Sequence, residues 1–165
     1  MCGKFTAVFV LVAALILATP VLSSAEEAPA SGVWRRPMLL GAHRGGRGLW
    51  PENTLAAYTQ AAARWPDILL EGDLRMTADG AVVLLHDGEV DRTTDGTGES
   101  AKMTLAEARR LDAGYRFTTD GGNTFPYRGQ GVTIPTLEEV FAACPKHRIF
   151  VELKGGAGIA EAVAQ

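Results

Sequence analysis

Two acidic side chains separated by one glycine, Glu71-Gly72-Asp73, stand at the end of a short aliphatic run, Ile68 to Leu70. On an extended chain, residues two apart leave the same face, roughly 7 Å apart along the strand, a gap that one cation bridges. A second aliphatic run, Val82 to Leu85, follows an Asp79-Gly80 turn and ends at His86-Asp87. Both runs read as strands covered on both faces. Folded as a parallel pair, they bring His86 up beside the two carboxylates.

Chemistry of a different charge type lies upstream. Met38 to Ala42 reads as a short apolar strand, followed at once by His43-Arg44-Gly45-Gly46-Arg47-Gly48. In a glycine-rich turn carrying His and Arg, backbone and cationic side chains approach an anion closely, and a phosphate fits there; a flexible turn with solvated charges is the alternative. The turn lacks the Lys-Ser/Thr ending of a nucleotide-binding P-loop. Near the C-terminus, Arg148 to Lys154 reads as another strand, with Glu152 and Lys154 on one face. His43, Glu71, Asp73, His86, Glu152 and Lys154 thus all fall at the C-terminal ends of expected strands. A (β/α) barrel builds its active site at that end, and an open doubly wound sheet is the alternative.

The elements that must position these residues are partly marked. Leu55 to Trp65 is alanine-rich and reads as a helix, with Asn53 as its N-cap and Glu52 set either to favour the helix start or to orient Arg44. A strand–helix–strand order results, which calls for a parallel sheet. Gly88 to Glu99 is turn chemistry. Asp91, Asp95 and Gly96 have the look of a calcium loop, but its twelfth position is Lys102 where a bidentate Glu is required, which excludes an EF-hand. Thr104 with Glu107, and Thr136 with Glu139, are capping boxes that start helices through Leu111 and Ala143. Asp112 to Val132 has no periodicity and carries Tyr115, Phe117, Phe125 and Tyr127, as expected of a substrate-facing insertion or an aromatic-pinned surface loop. Gly155-Gly156 turns the chain into a last helix, Ile159 to Gln165.

The chain of 165 residues has a formal net charge of −3, a balance that argues against a nucleic-acid partner. Residues 1–25 read as a signal peptide: Lys4, an apolar run from Phe5 to Ala18, then Ser23-Ser24-Ala25 before two glutamates. That run is shorter than the ~18 to 20 residues of a membrane span. Export to a periplasmic or extracellular location follows, with no stable membrane span after cleavage. Residues 26–37 read as a linker and 38–165 as one domain, with an insertion at about 88–133. Only Cys144 remains after cleavage, so packing rather than an intrachain disulfide holds the domain.

Taken jointly, the motifs resemble the glycerophosphodiester phosphodiesterase family from about residue 40 to 154. They are His43-Arg44-Gly45; Pro51-Glu52-Asn53-Thr54; Glu71-Gly72-Asp73-Leu74 with Thr77-Ala78-Asp79-Gly80; His86-Asp87 with Asp91-Arg92-Thr93-Thr94 and Gly96-Thr97-Gly98; Ile134 to Glu139; and Val151-Glu152-Leu153-Lys154. The resemblance implies a TIM barrel, of which about four of eight strands are present, so the chain reads as a truncated form of the domain. It implies metal-dependent hydrolysis of a glycerophosphodiester, a small molecule, to an alcohol and glycerol 3-phosphate through a cyclic phosphate formed by the glycerol hydroxyl. By the same resemblance His43 and His86 are the general acid–base pair, Glu71, Asp73 and Glu152 hold one divalent cation, and Arg44 and Lys154 contact the phosphate. Carboxylate oxygens suit Mg²⁺ or Ca²⁺. A phospholipase D of the sphingomyelinase type and an inactive truncated product are the rival readings.

Two finer expectations follow. Arg44 beside His43 and Asp87 beside His86 predict a neutral base at His43 and a protonated acid at His86. Mutual repulsion among the carboxylates predicts that Asp73→Asn relieves the empty site and weakens metal binding well before it unfolds the protein.

Overall fold

A computed structural model describes residues 39–164. The expected signal peptide at 1–25 and linker at 26–37 lie outside the described residues. A four-stranded sheet is built from β1 (Gly41–Ala42), β2 (Leu69–Met76), β3 (Val82–Leu84) and β4 (Ile149–Leu153). The helices are α1 (Leu55–Arg64), α2 (Leu105–Ala108), α3 (Leu137–Ala143) and α4 (Ala157–Val163). Both expected capping boxes are present, each Thr accepting from the Glu N–H and each Glu accepting from the Thr N–H.

Strands β1 and β4 pair with β2 in parallel, the first through Ala42 opposite Leu70 and the second through Asp73 opposite Glu152. Helix α1 connects β1 to β2, as a parallel pair requires. This is an arc of a (β/α) barrel. Its helix side holds the main core, where Tyr58, Ala61, Leu70, Leu74, Leu137 and Val140 are buried together.

The expected parallel pairing of the two aliphatic runs is not what forms. Strand β3 runs antiparallel to β2, with Leu74 opposite Leu84 and Met76 opposite Val82. Only Thr77 to Ala81 joins them, closed by the Thr77 N–H on the Ala81 carbonyl at 2.9 Å, and a parallel return needs a crossover of a dozen or more residues. Gly80 takes φ +84° in this turn, where a side chain would be strained. Strand β2 also runs further than expected, so Glu71 and Asp73 lie within it rather than beyond its end.

Period-two alternation then makes β3 a wall between two cores. Val82 and Leu84 face the main one. Val83 and Leu85 face a second core with Val90, Ala108, Ala113 and Ile134, beneath the segment that follows His86. Along β4 the same alternation turns Phe150 and Glu152 outward, 46 % of the Phe150 surface being exposed, while Ile149, Val151 and Leu153 pack on the main core.

Candidate active site

On β2 the odd-numbered residues Glu71, Asp73 and Arg75 share the face turned away from the helices, and Glu152 on β4 is the in-register neighbour of Asp73. One carboxylate oxygen from each of Glu71, Asp73 and Glu152 lies within 4.8 Å of the others. The three differ in burial: Asp73 is 1 % exposed, Glu71 16 % and Glu152 54 % at the side chain. Gly72 separates the acids because no side chain fits there. A Cβ would lie 2.1 Å from the Tyr58 hydroxyl.

Cations fill the spaces between these acids. Lys154 Nζ lies 2.7 Å from Glu152 and 3.4 Å from Asp73, and those contacts raise the Lys154 pKa. Arg44 approaches from the turn after β1. Its backbone N–H donates to Glu71 at 2.7 Å and its Nη1 to Glu52 at 3.0 Å. Its Nε is 3.3 Å from Asp73 Oδ2, yet makes no hydrogen bond and is buried without an acceptor among the described residues. The distance alone marks an ion pair; the angle leaves that donor open.

Reaching this position strains the backbone. Among the described residues, Arg44 (φ 53°) and Asn53 (φ 56°) are the non-glycine residues with left-handed conformations, and the Asn53 N–H donates to the Arg44 carbonyl at 2.9 Å. Such strain persists where surrounding contacts over-determine it. Here Asn53 Nδ2 donates to Asp73 at 3.0 Å, while its Oδ1 accepts from the Tyr58 hydroxyl at 2.9 Å. Asn53 is therefore not the helix cap that the sequence led us to expect. Thr54 is, its hydroxyl accepting from the Ala57 N–H. Both residue types are common helix caps, and Asn is if anything the better one, so cap preference points to the wrong residue here.

The histidines sit on either side. His43 is more than half exposed, with Nε2 4.0 Å from Glu71. His86 arrives on the antiparallel return from β3, at the level of Gly72, and its Nδ1 contacts Asp87 at 2.6 Å. Arg75, a conceivable partner of Glu71, instead donates to the His86 carbonyl at 2.7 and 3.0 Å and to the Lys154 carbonyl at 3.3 Å. A groove of about 650 Å³ borders the cluster, lined by Arg75, Asp87, Arg92, Lys154 and Gly155 among others.

Arg92, to which sequence reasoning gave no role, completes the surroundings. Arg92 pairs with both oxygens of Glu52 and with Asp87. Burial pushes the Glu52 carboxyl up, but the bonds and charges of Arg92 and Arg44 outweigh it and leave its pKa lowered. Burial likewise acts upward on Asp87, and Arg92 and His86 bring it down to about 2. The acids of the apparent calcium loop are engaged by backbone N–H groups, Asp91 by Gly98 and Asp95 by Asp112. The segment 112–132 is pinned by its aromatic side chains. Phe117 packs edge-on against Tyr127, Arg128 lies over Tyr115 and Phe125, and Arg116 to Thr118 line a small cavity beside Glu52 and Arg92.

Fold and site together define a (β/α)-barrel chain whose strand face carries acids, cations and histidines in contact. Residues 43–156 match the model of the glycerophosphoryl diester phosphodiesterase family. Glycerophosphodiester phosphodiesterase 1 of Bos taurus is 47 % identical over 120 residues, which are 70 % of this chain and 34 % of that protein. The glycerophosphodiester phosphodiesterase of Bacillus subtilis is 36 % identical over 161 residues, 92 % of this chain and 52 % of that one. Among solved structures, the glycerophosphoryl diester phosphodiesterase domain of an uncharacterized Mycobacterium tuberculosis protein superposes with a TM-score of 0.69 at 33 % identity, covering 76 % of this chain and 47 % of that one. A phosphodiesterase of Oleispira antarctica, solved with the product sn-glycerol-3-phosphate, gives 0.63 at 35 % identity, with 76 % and 48 % covered. The chain belongs to the glycerophosphoryl diester phosphodiesterase family. It spans between about a third and a half of the length of these relatives.

Proposed function

We propose that the protein carrying these residues hydrolyses glycerophosphodiesters to an alcohol and glycerol 3-phosphate. The observation that carries this reading is the convergence of Glu71, Asp73 and Glu152 to within 4.8 Å, beside Arg44 and Lys154. Hydrolysis of a phosphodiester asks for neutralised negative charge, a deprotonated nucleophile and a protonated leaving group. The family names carried by relatives of 36 and 47 % identity favour this reading over a phospholipase D.

Three hard-oxygen donors drawn together suit one Mg²⁺ or Ca²⁺, and we assign Glu71, Asp73 and Glu152 to hold it. That ion, when bound, supplies Lewis-acid neutralisation of the phosphate charge. The guanidinium of Arg44 and the ammonium of Lys154 contact phosphate oxygens. His43, exposed at the rim, takes the proton of the glycerol 2-hydroxyl as its oxygen attacks phosphorus. His86 gives its proton to the alkoxide whose bond to phosphorus breaks. Water then opens the cyclic phosphate with the two proton transfers reversed. The structure alters one premise of this division: Arg44 turns its charge toward Glu52 and Asp73 rather than toward His43, whereas Asp87 does reach His86. The assignment of the acid thus rests on Asp87. Export is part of the proposal, on the apolar run from Phe5 to Ala18. Among the described residues no helix is long and apolar enough to cross a membrane.

The test compares glycerophosphocholine with a glycerophosphodiester of nitrophenol, whose leaving group scarcely needs a proton. Excess EDTA abolishes turnover of both and Mg²⁺ or Ca²⁺ restores it. His86→Ala recovers much of its rate on the activated ester while His43→Ala stays inactive. Full turnover in EDTA removes the metal, and the reverse histidine pattern exchanges the two roles.

A further inference from the structure

Arg92 lies on a surface turn, 46 % exposed at its side chain, yet each edge of its guanidinium is occupied by a different carboxylate. Its Nη1 and Nη2 reach both oxygens of Glu52 at 2.9 and 2.7 Å, and its Nε reaches Asp87. Glu52 holds Arg44 at 3.0 Å, and Asp87 holds His86 at 2.6 Å. A continuous line of paired charges therefore runs His86–Asp87–Arg92–Glu52–Arg44. It joins the proposed acid to the proposed phosphate cation although Glu52 and Arg92 are forty residues apart.

We propose that Arg92 is a positioning residue that sets both ends of the site at once, orienting the His86 ring through Asp87 and the Arg44 guanidinium through Glu52. The inference rests on the phosphodiesterase reading for its kinetic consequence, but its geometric content stands apart from that reading.

Three features separate this from an ordinary surface ion pair, which contributes little. The fork geometry of a guanidinium is needed, since two carboxylates on different segments are bridged by one planar group. The backbone that carries Arg92 is braced. Thr94 is fully buried, its hydroxyl donating to the Val90 carbonyl at 2.9 Å and accepting from the Gly96 N–H at 3.0 Å. From the segment 112–132, Arg116 Nε adds bonds to the Asp91 and Thr94 carbonyls at 2.9 and 3.1 Å. The turn Val90 to Gly98 is thereby held as a bracket for one side chain. Finally, both partners of Arg92 are committed on their far side to a residue of the proposed machinery. With Asp87 fixed at Nδ1, the Nε2 of His86 is the nitrogen left to exchange a proton with the leaving group.

The test uses Arg92→Gln and Arg92→Lys in the full chain, with two readouts. Ring ¹⁵N signals of His43, His86 and His147, the three histidines, report the tautomer and environment of each without any turnover. Arg92→Gln shifts the His86 signals and leaves those of His147 in place. In kinetics it lowers kcat and raises KM for glycerophosphocholine, each by roughly 10-fold, within the 10–100-fold range of residues that orient catalytic groups. Arg92→Lys keeps the charge but not the fork, so it repairs one constant and not both. Unmoved His86 signals, or a lysine variant that restores both constants, overturns the two-ended role. If the wild-type protein turns over no glycerophosphodiester, the phosphodiesterase reading fails by itself, and the ¹⁵N signals alone still decide whether Arg92 sets His86.

Discussion

Asp73→Asn tests the electrostatic balance of the metal-free site, and the structure reverses the sign that crowded carboxylates alone suggest. Asp73 is almost wholly buried and faces Glu71 and Glu152, but Arg44 Nε is 3.3 Å away and Lys154 Nζ 3.4 Å away, with Asn53 Nδ2 at 3.0 Å. With an effective dielectric near 20, each cation at such a distance attracts Asp73 by about 5 kcal/mol, and each neighbouring acid at roughly 5 Å repels it by about 3 kcal/mol. Attraction wins by a few kcal/mol. Desolvation of a buried carboxylate offsets part of this, and Glu52 and Glu152 still hold the two cations after substitution. The net loss is about 2 kcal/mol, which in a chain of this size lowers Tm by roughly 4–8 °C. Thermal unfolding in EDTA at neutral pH, wild type against Asp73→Asn, measures it. A variant that melts at or above the wild-type temperature would show that repulsion dominates and would refute the reasoning. With Mg²⁺ added the gap widens, because only the intact ligand set gains binding energy.

Two further outcomes follow from the same contacts. Gly72→Ala places a methyl group 2.1 Å from the Tyr58 hydroxyl and 3.0 Å from Leu84, so it costs about 2–3 kcal/mol in urea unfolding, and adding Tyr58→Phe recovers part of that loss. The Asp87 carboxyl, down at about 2 from its ordinary 3.8, contributes stability that is fully present above about pH 4 and is lost as the pH falls toward 2. Discounted for a side chain one-third exposed, this is about 1 kcal/mol. Asp87→Asn should therefore unfold at lower urea than wild type at pH 6 and at the same urea at pH 2, and a difference that persists at pH 2 would assign the effect to packing.

The parts of the molecule legible in the sequence are those whose signals are local. Thr104 with Glu107 and Thr136 with Glu139 start helices because a capping box needs only four residues. Glu71 and Asp73 share a face because strand alternation is a property of the chain itself, and Glu152 joins them on β4 by the same rule. What stayed hidden depends on partners remote in sequence. Asn53 looked like a cap, and only the approach of Asp73 and Tyr58 shows it bridging the site. Arg92 was one charge in a polar turn until Glu52 and Asp87 were seen on its two edges. Strand direction is hidden for a different reason. The aliphatic runs of β2 and β3 are compatible with either pairing, and the short connection at Thr77 to Ala81 was the one feature that excluded the parallel form.

That reversal sets the level along β2 at which His86 falls. Running antiparallel, the chain turns back after Met76, so that Leu85 donates its N–H to the Asp73 carbonyl at 2.9 Å and His86 follows at the level of Gly72. Arg75 locks the return. One nitrogen pair of its guanidinium takes the His86 carbonyl and the other edge takes the Lys154 carbonyl, so a single side chain of β2 ties the end of the hairpin to the end of β4. The proposed acid and the proposed phosphate ammonium are in this way set by the same strand that carries two of the three carboxylates. Their spacing then depends on the register of β2 with its neighbours rather than on the mobility of loops. A shift of one residue in that register would turn Glu71, Asp73 and Arg75 toward the helices and dismantle the site at every position together.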